Sequence, residues 1–223
     1  LEKHWQQAEE AGLNLRAVFD LSALPAEIYE SIQASFPGAH EFESLVLLGG
    51  YGSRYWRCLD QNNERDIHPV DNYVVSQVQN IFSRFQFQII YPGDQLLPLV
   101  GLGRLAGWHH TSPLGIGIHP DYGPWYAYRA VFLANGIGLL AKQVGSHSCS
   151  ACASQSCLSV CPAGAVRLQG FDVNACSESR LEVDSPCTET CAARLACPVG
   201  TDYQYTPEQI KYHYRHSLEA LRE

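Results

Sequence analysis

The chain has 223 residues, 46% of them hydrophobic, with 15 basic against 23 acidic side chains and a formal net charge of -8. That length supports one ordinary domain with a smaller appendage. The acidic balance, with lysine only at Lys3, Lys142 and Lys211, excludes a surface built to grip nucleic-acid phosphates. No apolar run reaches the roughly 18 residues of a membrane helix. Residues 1–10 carry charge where a secretory leader would be apolar, so a cytoplasmic protein away from membranes is expected.

In chain order, residues 2–11 form a short helix candidate, 15–19 (LRAVF) a strand, and 25–34 a helix with Pro25 near its start. Residues 44–48 (SLVLL) are continuously apolar and run into Gly49, Gly50 and Gly52, which favours a buried strand over a helix fragment. The run Gly49-Gly50-Tyr51-Gly52 lacks the spacing and the lysine of a phosphate loop. Residues 54–66 are polar and irregular, a loop or a weak helix. The strongest helical pattern covers 69–85, where Val70, Tyr73, Val74, Val78, Ile81 and Phe85 recur at three- and four-residue steps. A strand at 87–91 closes on Pro92-Gly93, and a helix over 96–108 starts near Pro98, weakened by Gly101 and Gly103.

Residues 115–119 (GIGIH) alternate like a strand, 120–124 (PDYGP) form a turn, and 125–133 (WYAYRAVFL) resume as a strand. Alternation there puts Tyr126 and Tyr128 on one face, with Trp125 and Arg129 toward the other. From Gly145 the apolar periodicity stops, and a domain boundary is expected at about residue 143. The tail, 206–222, reads as a helix with Thr206 as N-cap, Pro207 in the first turn and Gln209 in the capping-box position.

Nine cysteines occur, eight of them between Cys149 and Cys197; Cys58 stands apart and reads as a buried or idle thiol. The spacing is Cys149-x2-Cys152-x4-Cys157-x3-Cys161-Pro162, then Cys176, then Cys187-x3-Cys191-x5-Cys197-Pro198. Short-spaced cysteines ending in Cys-Pro are the pattern of two-cluster bacterial ferredoxins, in which the last cysteine of each run ligates the other cluster. On that pattern Cys149, Cys152, Cys157 and Cys197 hold one 4Fe-4S cluster, and Cys161, Cys176, Cys187 and Cys191 hold the second. Both runs are stretched relative to the ferredoxin spacing. Zinc sites and a disulfide scaffold are the alternatives for eight cysteines, although neither accounts for the repeated Cys-Pro endings.

The stretch from His68-Pro69-Val70-Asp71 through Val78, then 87–91, 103–108 and above all 115–129 (GIGIHPDYGPWYAYR) resembles the cytosolic cobalamin-processing family of vitamin B12 chaperones and decyanases. The resemblance covers about residues 10–140. The layout, with a cysteine-rich module following, is similar to the epoxyqueuosine reductase family and more distantly to reductive dehalogenases. What the resemblance implies is an α+β, flavin-reductase-like (nitroreductase-related) corrinoid-binding domain at 1–143. A bacterial-ferredoxin-like module with two 4Fe-4S clusters follows at 144–223.

The resemblance further implies cobalamin as cofactor, with flavin as the alternative, and a low-potential donor of the ferredoxin or flavodoxin type. Electrons would pass through the clusters to cobalt, allowing reductive removal or exchange of an upper ligand by an oxidoreductase acting on cobalamin. A cobalamin-dependent reductase of an organic substrate and a non-enzymatic corrinoid carrier are the rival readings. By the same resemblance Arg104, Trp108, Gly115, Ile116, Gly117, His119, Pro120, Tyr122, Gly123, Trp125 and Arg129 face the corrinoid. His119 reads as pocket wall or hydrogen-bond partner in preference to cobalt ligand. Asp71 and Arg129 are the candidate catalytic residues; a guanidinium in so apolar a run needs a partner.

Overall fold

The computed structural model of the chain describes residues 1–59, 68–140 and 149–222. The chain divides into two compact units. One holds the described residues within 1–107 and 126–143, the other those within 108–125 and 144–223. Residues 108–125, expected with the first domain, pack instead with the cysteine region.

The first unit is built on a four-stranded antiparallel sheet in the order β1-β2-β4-β3, with β1 at Leu15–Asp20, β2 at Ser44–Tyr51, β3 at Phe87–Tyr91 and β4 at Tyr126–Ala134. The apolar run of β2 is central and buried from Ser44 through Gly50. It continues through the two glycines expected to end it, because Gly50 lies under the Gly12 carbonyl, where a Cβ would stand 2.8 Å from that oxygen. Helices α1 (Glu2–Glu10) and α4 (Pro69–Ile81) cover one face. Trp5, Val74, Val78 and Ile81 there pack on Val18, Val46, Leu48, Ala130 and Phe132. Between these helices in the chain lie α2 (Ala26–Ser35) and the short α3 (Arg54–Cys58). Residues 60–67, the rest of the segment read as loop or weak helix, lie outside the described residues.

Helix α4 stops at Ile81, four residues short of the expected Phe85, and the Phe82 carbonyl takes the Phe85 N–H in a following turn. Helix α5 (Leu99–Ala106) is likewise shorter than its expected span and ends on Gly107, which supplies the left-handed cap at φ 79°.

Strand β4 carries one irregularity that decides side-chain placement. Leu48 opposes Ala130 while Gly49 opposes Tyr128, so Arg129 is the extra residue of a β-bulge. The extra residue resets the alternation: Ala130, Phe132 and Ala134 join the α1/α4 core. Tyr128, which unbroken alternation would place with them, packs on Gly103 of α5. Arg129 turns its guanidinium over the Tyr55 ring, 4.0 Å from the centroid.

The second unit has little regular structure. It contains α6 (Ser156–Ser159), a two-stranded ribbon of β5 (Val166–Arg167) and β6 (Gly170–Phe171), α7 (Val173–Leu181), α8 (Ala192–Leu195) and α9 (Pro207–Glu219). The strand expected at 115–119 is absent; two isolated bridges, His110 with Ile118 and His119 with Gly123, stand in its place. Gly115 at φ 73° and Gly123 at φ 58° interrupt any extended run. Among the described residues no helix is long and apolar enough to cross a membrane.

Candidate metal centre

All nine cysteines are free thiols, and Cys58, expected buried or idle, is exposed. The other eight lie on the short elements of the second unit. Cys149 and Cys152 form a turn, closed by the Cys152 N–H donating to the Cys149 carbonyl at 3.3 Å. Cys157 lies on α6, and Cys161 opens the turn that follows it. Cys176 lies on α7, and Cys187 follows Ser185, whose hydroxyl accepts from its N–H at 3.2 Å. Cys191 caps α8, its sulfur accepting the Arg194 N–H at 3.4 Å. Cys197 ends the turn after α8.

Two separate cavities divide these thiols. The first is lined by Cys149, Cys152, Cys157 and Cys197, with Leu114, Ile118 and Leu158 among its walls. The second is lined by Cys161, Cys176, Cys187 and Cys191, with Val166, Phe171 and Ala193. Their empty spaces are about 530 and 1330 Å³, open mouths included. Cys157 and Cys161, one turn apart in sequence, therefore serve different cavities, and Cys197 returns to the first from forty residues further on. The structure brings together the same two quartets that the ferredoxin pattern allots.

Burial, reinforced by the neighbouring thiols of Cys197, Cys152 and Cys157, pushes the Cys149 thiol up to about 11. Burial raises Cys157 and Cys197 as well, and in the second cavity Cys176 and Cys187. Cys152 alone moves down, through its hydrogen bond with Ser154, 3.6 Å away, and the backbone N–H groups of the same turn. Thiols held this close resist ionising together unless positive charge enters among them. Among the described residues no three His, Cys, Asp or Glu side chains converge on the position of a single metal ion. A tetrahedral zinc site needs four sulfurs about 2.3 Å from one point. The quartets line open chambers instead.

The residues nominated for a corrinoid fall in both units. In the second, Trp108 and His119 are buried, and His119 Nδ1 accepts the Asp121 N–H at 3.1 Å beneath the Tyr122 ring, 4.5 Å away. Trp125 is buried against Tyr205 at 5.5 Å and under the Arg194 guanidinium at 4.8 Å. Gly115 and Gly123 have packing reasons of their own: a Cβ would meet the Phe171 ring at 2.6 Å and the Val199 carbonyl oxygen at 2.0 Å. Ile116 is exposed, while Gly117, Pro120 and Tyr122 are half-buried.

In the first unit Arg104 is exposed on α5 and Asp71 is exposed in the first turn of α4. Arg129 is 8% exposed, and its Nε has no hydrogen-bond partner among the described residues. Tyr91, which the sequence reading passed over, senses both candidates: burial first, and then Asp71, raise its phenol, while Arg129 lowers it. Tyr55 was passed over too, since nothing local announces a ring beneath a guanidinium 74 residues away. Arg180 and Arg194 were legible in principle, four residues after Cys176 and three after Cys191.

No family model and no curated protein matches the chain. Solved structures do match, and they define the class: an α+β fold shared with epoxyqueuosine reductases. One of these, an epoxyqueuosine reductase with a tRNA-Tyr epoxyqueuosine-modified stem loop, aligns at TM-score 0.56 and 14% identity over 94% of this chain and 68% of that chain. The Bacillus subtilis epoxyqueuosine reductase aligns at TM-score 0.54 and 14% identity over 92% of this chain and 66% of its own. A C. elegans B12-trafficking protein, CblC, aligns at TM-score 0.49 and 12% identity over 100% of this chain and 97% of that chain. The chain thus spans about two thirds of the reductases. The epoxyqueuosine reductases, one of the families that the sequence resembles, are thus among the structures that share its fold.

Proposed function

We propose that the chain is a cytoplasmic iron–sulfur oxidoreductase that passes electrons from two 4Fe-4S clusters to the cobalt of a bound corrinoid, so that an upper ligand is removed or exchanged. The observation that carries this reading is the division of eight thiols into two chambers of four. The donor set fits. A cubane takes one thiolate at each iron corner, so its ligands stand apart around a chamber, unlike the converging ligands of one zinc ion. Iron supplies the positive charge that lets these crowded thiols ionise and, when bound, the one-electron chemistry.

In this reading the second unit is a ferredoxin-like module, and the first a flavin-reductase-like scaffold given over to a corrinoid instead of flavin. Arg129 Nε, without a hydrogen-bond partner among the described residues, is a donor suited to a corrin amide or carboxylate. Asp71, whose charge acts on the Tyr91 phenol, is the candidate to hold or release a proton. The electron source is a low-potential protein of ferredoxin or flavodoxin type. The fold shared with epoxyqueuosine reductases favours one second reading, reduction of an organic substrate on the same cofactors.

Anaerobic reconstitution with iron and sulfide, followed by hydroxocobalamin and a low-potential reductant, tests the proposal. About eight irons per chain and reductive loss of the cobalt(III) absorption bands are expected. Cluster assembly without corrinoid uptake overturns the cobalamin assignment, and absence of clusters overturns the whole. Turnover of alkyl- or cyanocobalamin separates enzyme from carrier.

A further inference from the structure

We propose that the two cysteine quartets build redox sites of unequal potential, and that the site of Cys161, Cys176, Cys187 and Cys191 is the more easily reduced because Arg180, Arg194 and Tyr214 line it. The inference rests on the reading that each quartet holds a 4Fe-4S cluster, and it assigns the chain's own side chains the task of making the two sites different.

The linings differ in charge. Beyond its cysteines, the described wall of the first cavity has only neutral residues, Ser112, Gln155 and Ser156 being the polar ones. The lining of the second cavity includes two cationic residues, Arg180 and Arg194, together with Tyr214 and His213. Arginine keeps its charge throughout the working pH range.

Both cations are fixed in place. Arg180 stands four residues after Cys176 on α7, on the same helix face. Its Nη2 donates to the Tyr214 carbonyl at 2.8 Å and to Ser217 Oγ at 2.9 Å, and the guanidinium lies 5.3 Å from the Tyr214 ring centroid. Arg194 donates its backbone N–H to the Cys191 sulfur at 3.4 Å. Its side chain is held by the Pro124 carbonyl, 2.6 Å from Nη2, between the Trp125 and Tyr205 rings, whose centroids lie 4.8 and 5.0 Å away. Tyr214 lines the same cavity beside Cys191 and Arg194.

One electron added to a cluster in either chamber adds one negative charge there. Two permanent cations beside a half-buried site stabilise that charge, as do hydrogen bonds to the ligating sulfur. The first chamber has backbone and hydroxyl donors at Cys152 and Cys197 but no cation among its described residues. Charge, then, is what separates the two sites, and it directs electrons toward the second.

The test is an equilibrium redox titration of the reconstituted 223-residue chain, read by electron paramagnetic resonance. Two one-electron couples are expected. Arg180→Gln and Arg194→Gln should each move the higher couple to more negative potential by on the order of tenfold in its reduction equilibrium, about 59 mV for one electron. The lower couple should stay in place. Arg180→Lys, which keeps the charge, should restore most of the shift. If Arg194→Gln does not fold, Arg180→Gln alone decides. Coincident couples, or Gln variants that move both couples or neither, overturn the inference while leaving the cluster reading intact. Fewer than about eight irons per wild-type chain overturns that reading first.

Discussion

Gly103 is the seat of Tyr128. A Cβ at Gly103 would stand 1.9 Å from the Tyr128 hydroxyl oxygen, 2.6 Å from its Cζ and 2.9 Å from Cε1, so the ring itself lies against the bare helix backbone of α5. The bulge at Arg129 makes this possible by turning Tyr128 away from the α1/α4 core.

Two effects compete at this position. Helix propensity alone makes Gly103→Ala stabilising by roughly 0.5–1 kcal/mol. Overpacking costs about 1–3 kcal/mol, and a whole ring has to move. Packing wins, and urea unfolding of Gly103→Ala should show a net loss of about 1 kcal/mol. Gly101→Ala, two residues earlier, is the contrast: the tightest contact of its Cβ would be the flexible Ile28 Cδ1, at 3.2 Å. It should be neutral or slightly stabilising. Equal effects at both positions would contradict the seat.

Cys157 and Cys161 are the sharpest test of how the thiols divide, because they are close in sequence and line different cavities. Cys157→Ala should remove about four irons and the lower-potential signal, and Cys161→Ala about four irons and the higher. The measurement is iron and sulfide content beside the resonance spectrum of each reconstituted variant. Loss of one and the same signal in both variants would refute the division.

The legible part of this molecule was whatever repeats locally. The periodicity of Val74, Val78 and Ile81 announced α4, and the unbroken apolar run announced β2. What escaped depended on distant partners. Gly115 and Gly123 looked like interruptions in a strand; the missing side chains leave room for Phe171 and Val199, more than fifty residues away. That is why residues 108–125 belong with the cysteine region and not with the sheet they precede. The bulge at Arg129 was equally hidden, since alternation in one strand cannot show a register shift against another.

Gly123→Ala follows from that packing. At φ 58° an L side chain costs about 1 kcal/mol, and the contact with the Val199 carbonyl has no flexible atom to yield. The cofactor-free chain should therefore lose about 2 kcal/mol or more in thermal or urea unfolding. A glycine kept solely to admit a corrin ring would leave the stability of the cofactor-free chain unchanged and lower only cobalamin affinity.

Helix α9 begins as its sequence suggests in one respect and departs from it in another. The Thr206 side chain accepts the Gln209 N–H at 3.3 Å, so Thr206→Ala should cost about 1 kcal/mol. A capping box would also have the Gln209 amide reach back to the Thr206 N–H. Instead Gln209 is fully buried, and among the described residues neither its Oε1 nor its Nε2 has a hydrogen-bond partner. Burying an amide without partners costs free energy, and an apolar group of similar size removes that cost. Gln209→Leu should thus be neutral or stabilising by about 1 kcal/mol. A working capping box would make it destabilising, so the sign of the change in urea midpoint decides between them.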